Sequence, residues 1–289
     1  MLIQIIATKT DFIRNHGSNV IDINSFISEL SIFTSTRTID VSSLNPYWNN
    51  YFHSVLIAAF FDSTQISLER WNDYFNNSTR ITQILNLSYP NEGEVLELFV
   101  MHSINHVFSF NSNLNIKALK ANNSRNPTYL TDDSNNPNLL TAAENERIID
   151  NLKVVMKLRG LPTKKIWGDN DIIVVLKHNN INQQFCIISC KTSLRERVYQ
   201  SIFWATHSRL EGTGKHVFVT TDKGASGNSE IGNRDANNNA KKSRDVLEST
   251  MDRVYVLRNN NEVERSQVIK DFLHLNLDLD RWASDIAGF

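Results

Sequence analysis

The chain has 289 residues, which is enough for one large domain or two modest ones. Hydrophobic residues make up 40% of it and charged residues 21%, as in an ordinary globular protein, and this balance excludes wholesale disorder. The formal net charge of −1 provides no general attraction to nucleic acid. A contact with nucleic acid would therefore depend on local clusters of Lys and Arg.

The sequence contains no segment that is typical of a membrane protein or a secreted one. Its longest apolar runs, such as residues 55–61, are too short to cross a bilayer, and its apolar start lacks the basic segment and cleavage pattern of a signal peptide. Cys186 and Cys190 lie on one predicted strand, too far apart along it for a disulfide. We therefore expect a cytoplasmic protein with reduced thiols and no membrane contact.

The first part of the chain is predicted to be mostly helical. One helix opens at Asn45-Pro46, a second surrounds Trp71, and a third runs from about Glu94 to Phe108. Residues 111–138 are rich in Asn, Ser, Pro and Asp, and this composition predicts a linker or a long surface loop. We therefore expect a helical N-terminal region over residues 1–138.

A clear helix start follows the predicted linker. Thr141-Ala142-Ala143-Glu144 is a capping box, in which the Thr side chain and the Glu side chain each bond to the other residue's backbone N–H. Apolar residues from Ile148 to Met156 supply a buried stripe. Gly160 fits a C-terminal cap and Pro162 forbids continuation, so the helix is predicted to end there.

Beyond this helix the pattern changes to alternating strands and helices. The predicted strands are Thr163–Trp167, Ile172–Leu176, Gln184–Ser189, His216–Thr220 and Val254–Leu257, and the predicted helices are Leu194–Leu210, Lys241–Thr250 and Ser266–Leu273. Asn179-Asn180 joins the second and third strands as a hairpin. The order predicts an α/β fold for residues 139–289, with a mixed β-sheet flanked by helices.

Charged and polar residues stand at one end of the predicted hairpin. Asp171 begins the first strand, and Ser189, Cys190 and Lys191 end the second. The start of one antiparallel strand lies beside the end of the next, and residues two apart share a face. We therefore expect Asp171, Ser189 and Lys191 to lie together at one edge of the sheet.

An Asp beside a Lys at such an edge is suited to hydrolysis of a phosphodiester bond. The carboxylate can hold a divalent metal ion that polarises the phosphate and acidifies water. The positive group can steady the attacking water or the developing charge. A third group must accept or relay a proton, and the pair alone does not identify it.

The segment from Asp171 to Lys191 resembles the core of the PD-(D/E)xK nuclease superfamily. The continuation Lys191-Thr192-Ser193-Leu194-Arg195-Glu196-Arg197, with Gln200 one turn later, is similar to type II restriction endonucleases with Ser-x-Lys in place of Glu-x-Lys. The resemblance implies a restriction-endonuclease-like core over residues 139–289 that cuts both strands of double-stranded DNA at a specific site with Mg²⁺. The resemblance does not extend to residues 1–138, and we expect this helical region to dimerise or to help to recognise DNA.

The resemblance implies a role for each residue at the hairpin end. Asp171 would bind Mg²⁺, the backbone carbonyl of Cys190 would be a second metal ligand, and Lys191 would position the attacking water. Ser189 stands at the second acidic position of the motif, where it is a poor metal ligand. No proline precedes Asp171, in contrast to the family pattern.

A further carboxylate is therefore expected to complete the metal site. In the Ser-x-Lys branch it often comes from the following helix, but residues 202–204 carry no acid. We favour Glu144 or Glu146 on the preceding helix. The alternatives left open are Glu196, Glu211 and Asp169.

Polar and basic residues around the core are candidates to hold DNA through its phosphates and bases. They are Lys164, Lys165, Arg195, Arg197, Gln200, Lys223, Asn228 and Arg234. Because two strands must be cut, we expect a homodimer, and the resemblance implies a DNA methyltransferase as functional partner. Two alternatives stay open: a repair, junction-resolving or transposition nuclease with the same core, and a non-catalytic DNA-binding protein with a decayed core.

Overall fold

The structure, a computed structural model, describes residues 20–22, 38–40, 71–72, 75–76, 91–110, 114–133, 136–157, 159–194, 197–210, 214–224 and 227–288. The chain divides into two compact units, Met1–Val95 and Leu96–Phe289. In the first unit, β1 (Val20–Asp22) pairs antiparallel with β2 (Thr38–Asp40). Residues 71–72 and 75–76 are helical, as the pattern around Trp71 predicted, and the helix predicted from Asn45 lies outside the described residues.

Helices and strands alternate along the second unit. The helices are α1 (Glu92–Phe110), which begins just before the unit boundary, α2 (Ala142–Asn151), α3 (Arg197–Leu210), α4 (Lys242–Thr250) and α5 (His274–Ala287). The strands are β3 (Asn115–Ala121), β4 (Leu130–Thr131), β5 (Lys153–Met156), β6 (Lys164–Trp167), β7 (Ile172–His178), β8 (Ile181–Lys191), β9 (Lys215–Thr220), β10 (Arg253–Val256) and β11 (Ile269–Asp271). Among the described helices, none is long and apolar enough to cross a membrane.

A seven-stranded sheet forms the centre of this unit, in the order β11-β10-β9-β8-β7-β3-β4. The strands from β8 to β11 run parallel, whereas β7, β3 and β4 each pair antiparallel with their neighbours. β5 and β6 form a separate antiparallel pair. The predicted mixed sheet with flanking helices is therefore confirmed.

Alternate residues of the strands build the core beneath the helices. Ile173 of β7 and Ile187 of β8 pack in one cluster with Ile148 and Ile149 of α2. A second cluster contains Phe218, Val254 and Ile269 of the parallel strands together with residues from α3 and α4, namely Val198, Ala205 and Leu247. These clusters hold β7 and β8 rigidly in the middle of the sheet, because each strand also has a neighbour on both sides.

The β7–β8 hairpin combines a tight turn with a bulge. Asn179 and Asn180 have φ values of 50° and 60°, and two successive left-handed residues suit the twist of a two-residue hairpin. Val175 pairs with Gln184, but Val174 pairs with Cys186, so Phe185 is one extra residue in β8. At Gly214, with φ of 99°, a Cβ atom would lie 2.5 Å from the Phe185 carbonyl oxygen, so only glycine fits beside the bulge.

The predicted linker over residues 111–138 contains a strand of the central sheet instead. β3 pairs antiparallel with β7, and Asn105 of α1 bonds to both the N–H and the carbonyl of Ala118. Sheet pairing therefore overrides the loop-like composition of this segment. β3, β4 and most of α1 belong to the unit that begins at Leu96, so the predicted boundary at residues 138 and 139 falls inside it.

Two predicted helices also differ from the structure. The capping box at Thr141 is present, but α2 ends at Asn151 and the following β-branched residues form β5, where Val154 pairs with Ile166. The helix predicted over Ser266–Leu273 is replaced by β11, which pairs with β10, and by the later α5. The pattern of a short apolar run does not distinguish a helix from a buried strand. Pairing with a neighbouring strand determines which of the two forms.

Candidate active site

Charged side chains meet where β7 begins and β8 ends. Asp171 precedes β7, one residue beyond the Ile172–Ile188 pair, and Lys191 is the last residue of β8. The Lys191 Nζ lies 2.9 Å from Asp171 Oδ2 and 3.0 Å from Asp169 Oδ2. The structure thus brings Asp171 and Lys191 together at one edge of the sheet, as the hairpin pattern predicted.

Backbone groups and burial fix this cluster. Asp171 Oδ2 accepts a hydrogen bond from the Cys190 N–H at 2.7 Å, and Ser189 Oγ donates to the Asp169 carbonyl at 3.4 Å. The side chains of Asp171 and Lys191 are each 11% exposed, and that of Asp169 is 20% exposed. One ammonium therefore faces two largely buried carboxylates, and the cluster carries a net negative charge.

The pKa values of Asp171 and Lys191 both lie above their ordinary values in this cluster. Burial, aided by the charge of Asp169, raises the pKa of Asp171 to about 6 despite the opposing charge of Lys191. Burial lowers the pKa of Lys191, but the charges of Asp171 and Asp169 outweigh it and hold that pKa above its ordinary value. Lys191 is therefore an ammonium at neutral pH, and ionised Asp171 is held at a free-energy cost to the fold.

We expect Asp171→Asn to make the stability of the metal-free protein less dependent on pH near 6. The folded pKa of about 6 lies above the ordinary 3.8, so the folded state binds more protons between these values and wild-type stability falls as pH rises through about 6. Asparagine has no such titration. The measurement is urea unfolding in a chelator at pH 5 and pH 7.5, where an equal fall in stability between these pH values in the variant and the wild type would contradict the expectation.

A further carboxylate reaches the end of β8 from α1. Burial raises the pKa of the Cys190 thiol, and the charges of Asp171 and Glu97 raise it further. Glu97 is not among the residues that the sequence predicted for the site. The signal that could have found it is a lone charge within the apolar run Val95–Met101.

The prediction that Glu144 or Glu146 completes the metal site is wrong. Glu144 Oε1 accepts a hydrogen bond from Asn182 Nδ2 at 2.7 Å, at the turn end of β8. Asn182 and Lys191 are nine positions apart on β8, which is about 30 Å at the usual strand rise. Glu146 follows on the same short helix and is exposed. Glu196 and Glu211 lie outside the described residues.

Glu144 instead stabilises the start of α2. Its Oε2 accepts from the Thr141 N–H at 2.9 Å, and the Thr141 backbone bond, with the bonds from Asn182, lowers the pKa of Glu144 to about 2. We expect Glu144→Ala to lower the free energy of unfolding by about 1 kcal/mol. Glu144→Gln, which keeps the capping box, should change stability less. Urea unfolding measures both, and an equal loss in the two variants would exclude the capping role.

The loops that follow β8 and β9 meet beside the charged cluster. Lys191 and Thr220 are paired in the parallel strands, so both strands end at this edge. The Lys223 N–H donates to the Thr192 carbonyl at 2.9 Å, and Glu230 accepts from the Leu194 N–H. Thus the segment after Lys191 is tied by hydrogen bonds to the loop after β9.

The predicted DNA-contacting residues occupy three kinds of position. Arg197 and Gln200 are exposed in the first turn of α3, and Asn228 is exposed in the loop after β9. The guanidinium of Arg234 forms ion pairs with Asp245 and Glu248 and bonds to a carbonyl of its own loop.

The remaining candidates lie apart from these. Lys164 and Lys165 are exposed on β6, and Lys165 forms an ion pair with Asp150. Lys223 is half-buried beside Thr192. Arg195 lies outside the described residues.

The charged cluster has the chemistry of a divalent-cation site. Within the described part of the chain, no group of three or more His, Cys, Asp and Glu side chains is placed to hold a metal ion. Mg²⁺ nevertheless binds through one or two carboxylates and keeps several waters. Asp169 Oδ2 is a buried oxygen with the Lys191 ammonium 3.0 Å away, and a carboxylate oxygen so placed keeps acceptor capacity that a cation could use.

Known proteins resemble this chain over the region that holds the cluster. Residues 148–278 match the family model described as BsaWI restriction endonuclease type 2. MjaVIP of Methanocaldococcus jannaschii, provisionally named a type II restriction enzyme, is 29% identical over 38% of this chain and 51% of its own length. The chain thus spans about half the length of the curated relative that it matches. The resemblance to type II restriction endonucleases is confirmed.

A structural comparison gives a weaker likeness. The crystal structure of the pre-specific complex of restriction endonuclease BsaWI with DNA aligns with 92% of this chain and 91% of that chain. The TM-score is 0.35 and the sequence identity is 12%.

Proposed function

We propose that the chain is a type II site-specific endodeoxyribonuclease that hydrolyses both strands of double-stranded DNA with Mg²⁺. The observation that carries the proposal is the Lys191 ammonium held between Asp171 and Asp169 within the region that matches a restriction-endonuclease family model. A buried cluster with one cation and two anions is costly to the fold. Such a cost is typical of a site that is selected for chemistry.

Each residue of the cluster has its own role in the proposed phosphodiester hydrolysis. The carboxylate of Asp171 and the backbone carbonyl of Cys190 would hold the Mg²⁺ ion. When bound, the ion supplies positive charge that polarises the phosphate and acidifies water. Lys191 holds the attacking water in line with the phosphorus and offsets charge that develops on the phosphate oxygens. The Ser189 hydroxyl donates a hydrogen bond to the Asp169 backbone carbonyl, and serine has no carboxylate that could bind the metal ion.

DNA would lie across the edge where β8 and β9 end. Arg197 and Gln200 stand at the start of α3, where side chains and the helix N-terminus can meet phosphate. Lys223 and Asn228 approach from the loop after β9, which is tied to Thr192. Lys164 and Lys165 would add phosphate contacts, and Arg195 stands in the family motif. Arg234 would need to leave its ion pairs with Asp245 and Glu248 to read a base.

The assembly and the partner follow from the reaction. A palindromic site cut on both strands is met most simply by a twofold homodimer, in which each copy cuts one strand. Residues 1–138 would contribute to dimerisation or to recognition. A DNA methyltransferase of the same specificity would protect the host's own sites.

Digestion of a mapped plasmid tests the proposed function. Protein with Mg²⁺ should give discrete fragments whose sequenced ends share one short site, and a chelator should prevent cleavage. Random nicking or structure-dependent cutting would instead indicate a repair, junction-resolving or transposition nuclease. The absence of Mg²⁺- or Mn²⁺-dependent cleavage on any plasmid would leave only a non-catalytic DNA-binding protein.

A further inference from the structure

We propose that Asp169 is the second carboxylate ligand of the divalent cation, and that contact between Trp204 and Gly168 positions it. The proposal rests on the proposed function. Ser189 occupies the position of the acid in the Glu-x-Lys motif. The two acids that the sequence favours, Glu144 and Glu146, belong to the helix whose start contacts the far end of the hairpin. The missing charge must therefore come from another part of the sheet edge.

The carboxylate of Asp169 already lies in the charged cluster. Its Oδ2 is 3.0 Å from the same Lys191 nitrogen that contacts Asp171. That oxygen is buried, and the Lys191 ammonium is the donor beside it, whereas Asp171 Oδ2 accepts from both Cys190 and Lys191. A cation beside the two carboxylates would use the remaining acceptor capacity of Asp169 and cancel the excess negative charge.

The backbone before Asp169 is held against α3. A Cβ atom at Gly168 would lie 3.1 Å and 3.2 Å from two carbons of the Trp204 ring, so the indole packs directly on the glycine. Gly168 is buried, and any larger residue there would displace the ring or the backbone. On the other side, Ser189 Oγ donates to the Asp169 carbonyl. Contacts from α3 and β8 thus fix the segment that carries the carboxylate.

Asn170 supports the same orientation. It is 7% exposed, and its Nδ2 has no hydrogen-bond partner among the described residues. Asp169 and Asp171 flank it and both contact Lys191, so the two acids share one side of this segment while the amide between them is buried. Burial of an unsatisfied amide is a cost that the local packing must offset.

Glu97 is the competing acid, whereas Asp169 and Asp171 each lie within 3.0 Å of Lys191 Nζ. Its charge acts on the thiol of Cys190, which is the neighbour of Lys191 on β8. Glu97→Gln is therefore an informative comparison for Asp169→Asn.

The experiment is a titration of the purified full chain with Mn²⁺, with free ion measured by electron paramagnetic resonance. Asp169→Asn should weaken Mn²⁺ binding by roughly tenfold or more, and Glu97→Gln should weaken it less. Gly168→Ala should also cause a loss of about tenfold, because the added methyl group pushes Asp169 away from its position. Thermal unfolding of each variant confirms that it is folded.

A double variant separates positioning from general disruption. Trp204→Ala in the Gly168→Ala protein should restore most of the Mn²⁺ affinity, since removal of the ring makes room for the methyl group. Trp204→Phe should bind Mn²⁺ nearly as wild type does. Tyr199→Ala, which removes an exposed aromatic ring from the same helix, is the matched control and should have no effect. In Mg²⁺-dependent cleavage, the Gly168→Ala defect should shrink as Mg²⁺ concentration rises.

The outcomes distinguish this proposal from the proposed function. Wild-type affinity in Asp169→Asn, with loss in Asp171→Asn, would overturn the assignment of Asp169 and leave the nuclease intact. A Gly168→Ala loss that Trp204→Ala does not relieve would overturn the positioning role. Failure of wild-type protein both to bind Mn²⁺ and to cut DNA would remove the proposed function, and the metal site with it.

Discussion

Lys191→Ala is expected to lower the single-turnover rate of DNA cleavage by roughly a thousandfold or more. Its ammonium lies at hydrogen-bonding distance from two carboxylates and is 11% exposed, so the charge is fixed in a region of low dielectric. A charge that acts on the developing charge of the transition state affects rate more than substrate affinity. Binding of the cognate duplex in Ca²⁺ should change far less, because many phosphate contacts determine affinity.

The measurement pairs rapid-quench cleavage of one short duplex with a binding titration. Lys191→Arg should recover little activity, because a planar guanidinium cannot occupy the position of a compact ammonium. Glu144→Gln, about 30 Å away along the hairpin, is the matched control and should cut at the wild-type rate. A Lys191→Ala protein that cuts within a few-fold of wild type would refute the catalytic assignment.

Asp171→Ala should abolish cleavage at every concentration of Mg²⁺ that can be tested. The carboxylate is central to the cluster, since its Oδ2 accepts from both Cys190 and Lys191. Without it, the cation loses its best-placed ligand, and Asp169 alone would hold Mg²⁺ poorly. DNA binding in a chelator should persist or strengthen, because the substitution removes a negative charge that faces the phosphates.

Gel-shift titrations and cleavage assays on the same duplex measure both effects of Asp171→Ala. Mn²⁺ should rescue little of the lost rate, since the defect lies in the ligand and not in the choice of ion. If Asp171→Ala cuts normally while Asp169→Ala is inactive, the assignment of the two acids is reversed. If DNA binding disappears together with cleavage, the residue serves the fold or the protein–DNA contact more than the metal.

Local signals in the sequence predicted the hairpin and its charged end correctly. The β-branched run from Ile172, the Asn179-Asn180 turn and the capping box at Thr141 each depend on neighbouring residues alone, and each is present. The meeting of Asp171 with Lys191 follows from strand pairing within one hairpin. Information of this kind is contained in short stretches of sequence.

Features that depend on distant contacts were not predictable in the same way. β3 is a strand because β7 lies beside it, although its flanking residues are typical of a loop. The sequence favours Glu144 for a first-turn position facing the sheet, yet the helix start contacts the turn end at Asn182. Asp169 is only an alternative in the sequence, since the contact of Gly168 with Trp204 joins segments far apart in the chain.

Phe185 decides which side chains of β8 face Asp171. At the turn, Val175 pairs with Gln184, and if this pairing continued unbroken, Asp171 would stand opposite Ile188. Cys190 would then share its face, and Lys191 would point through to the opposite side. The extra residue brings the odd-numbered residues at the end of β8 to the face of Asp171 in place of the even-numbered ones. The bulge in the middle of β8 thus determines that Lys191 faces Asp171. The twenty-residue spacing between Asp171 and Lys191 places them on one face only because it includes Phe185.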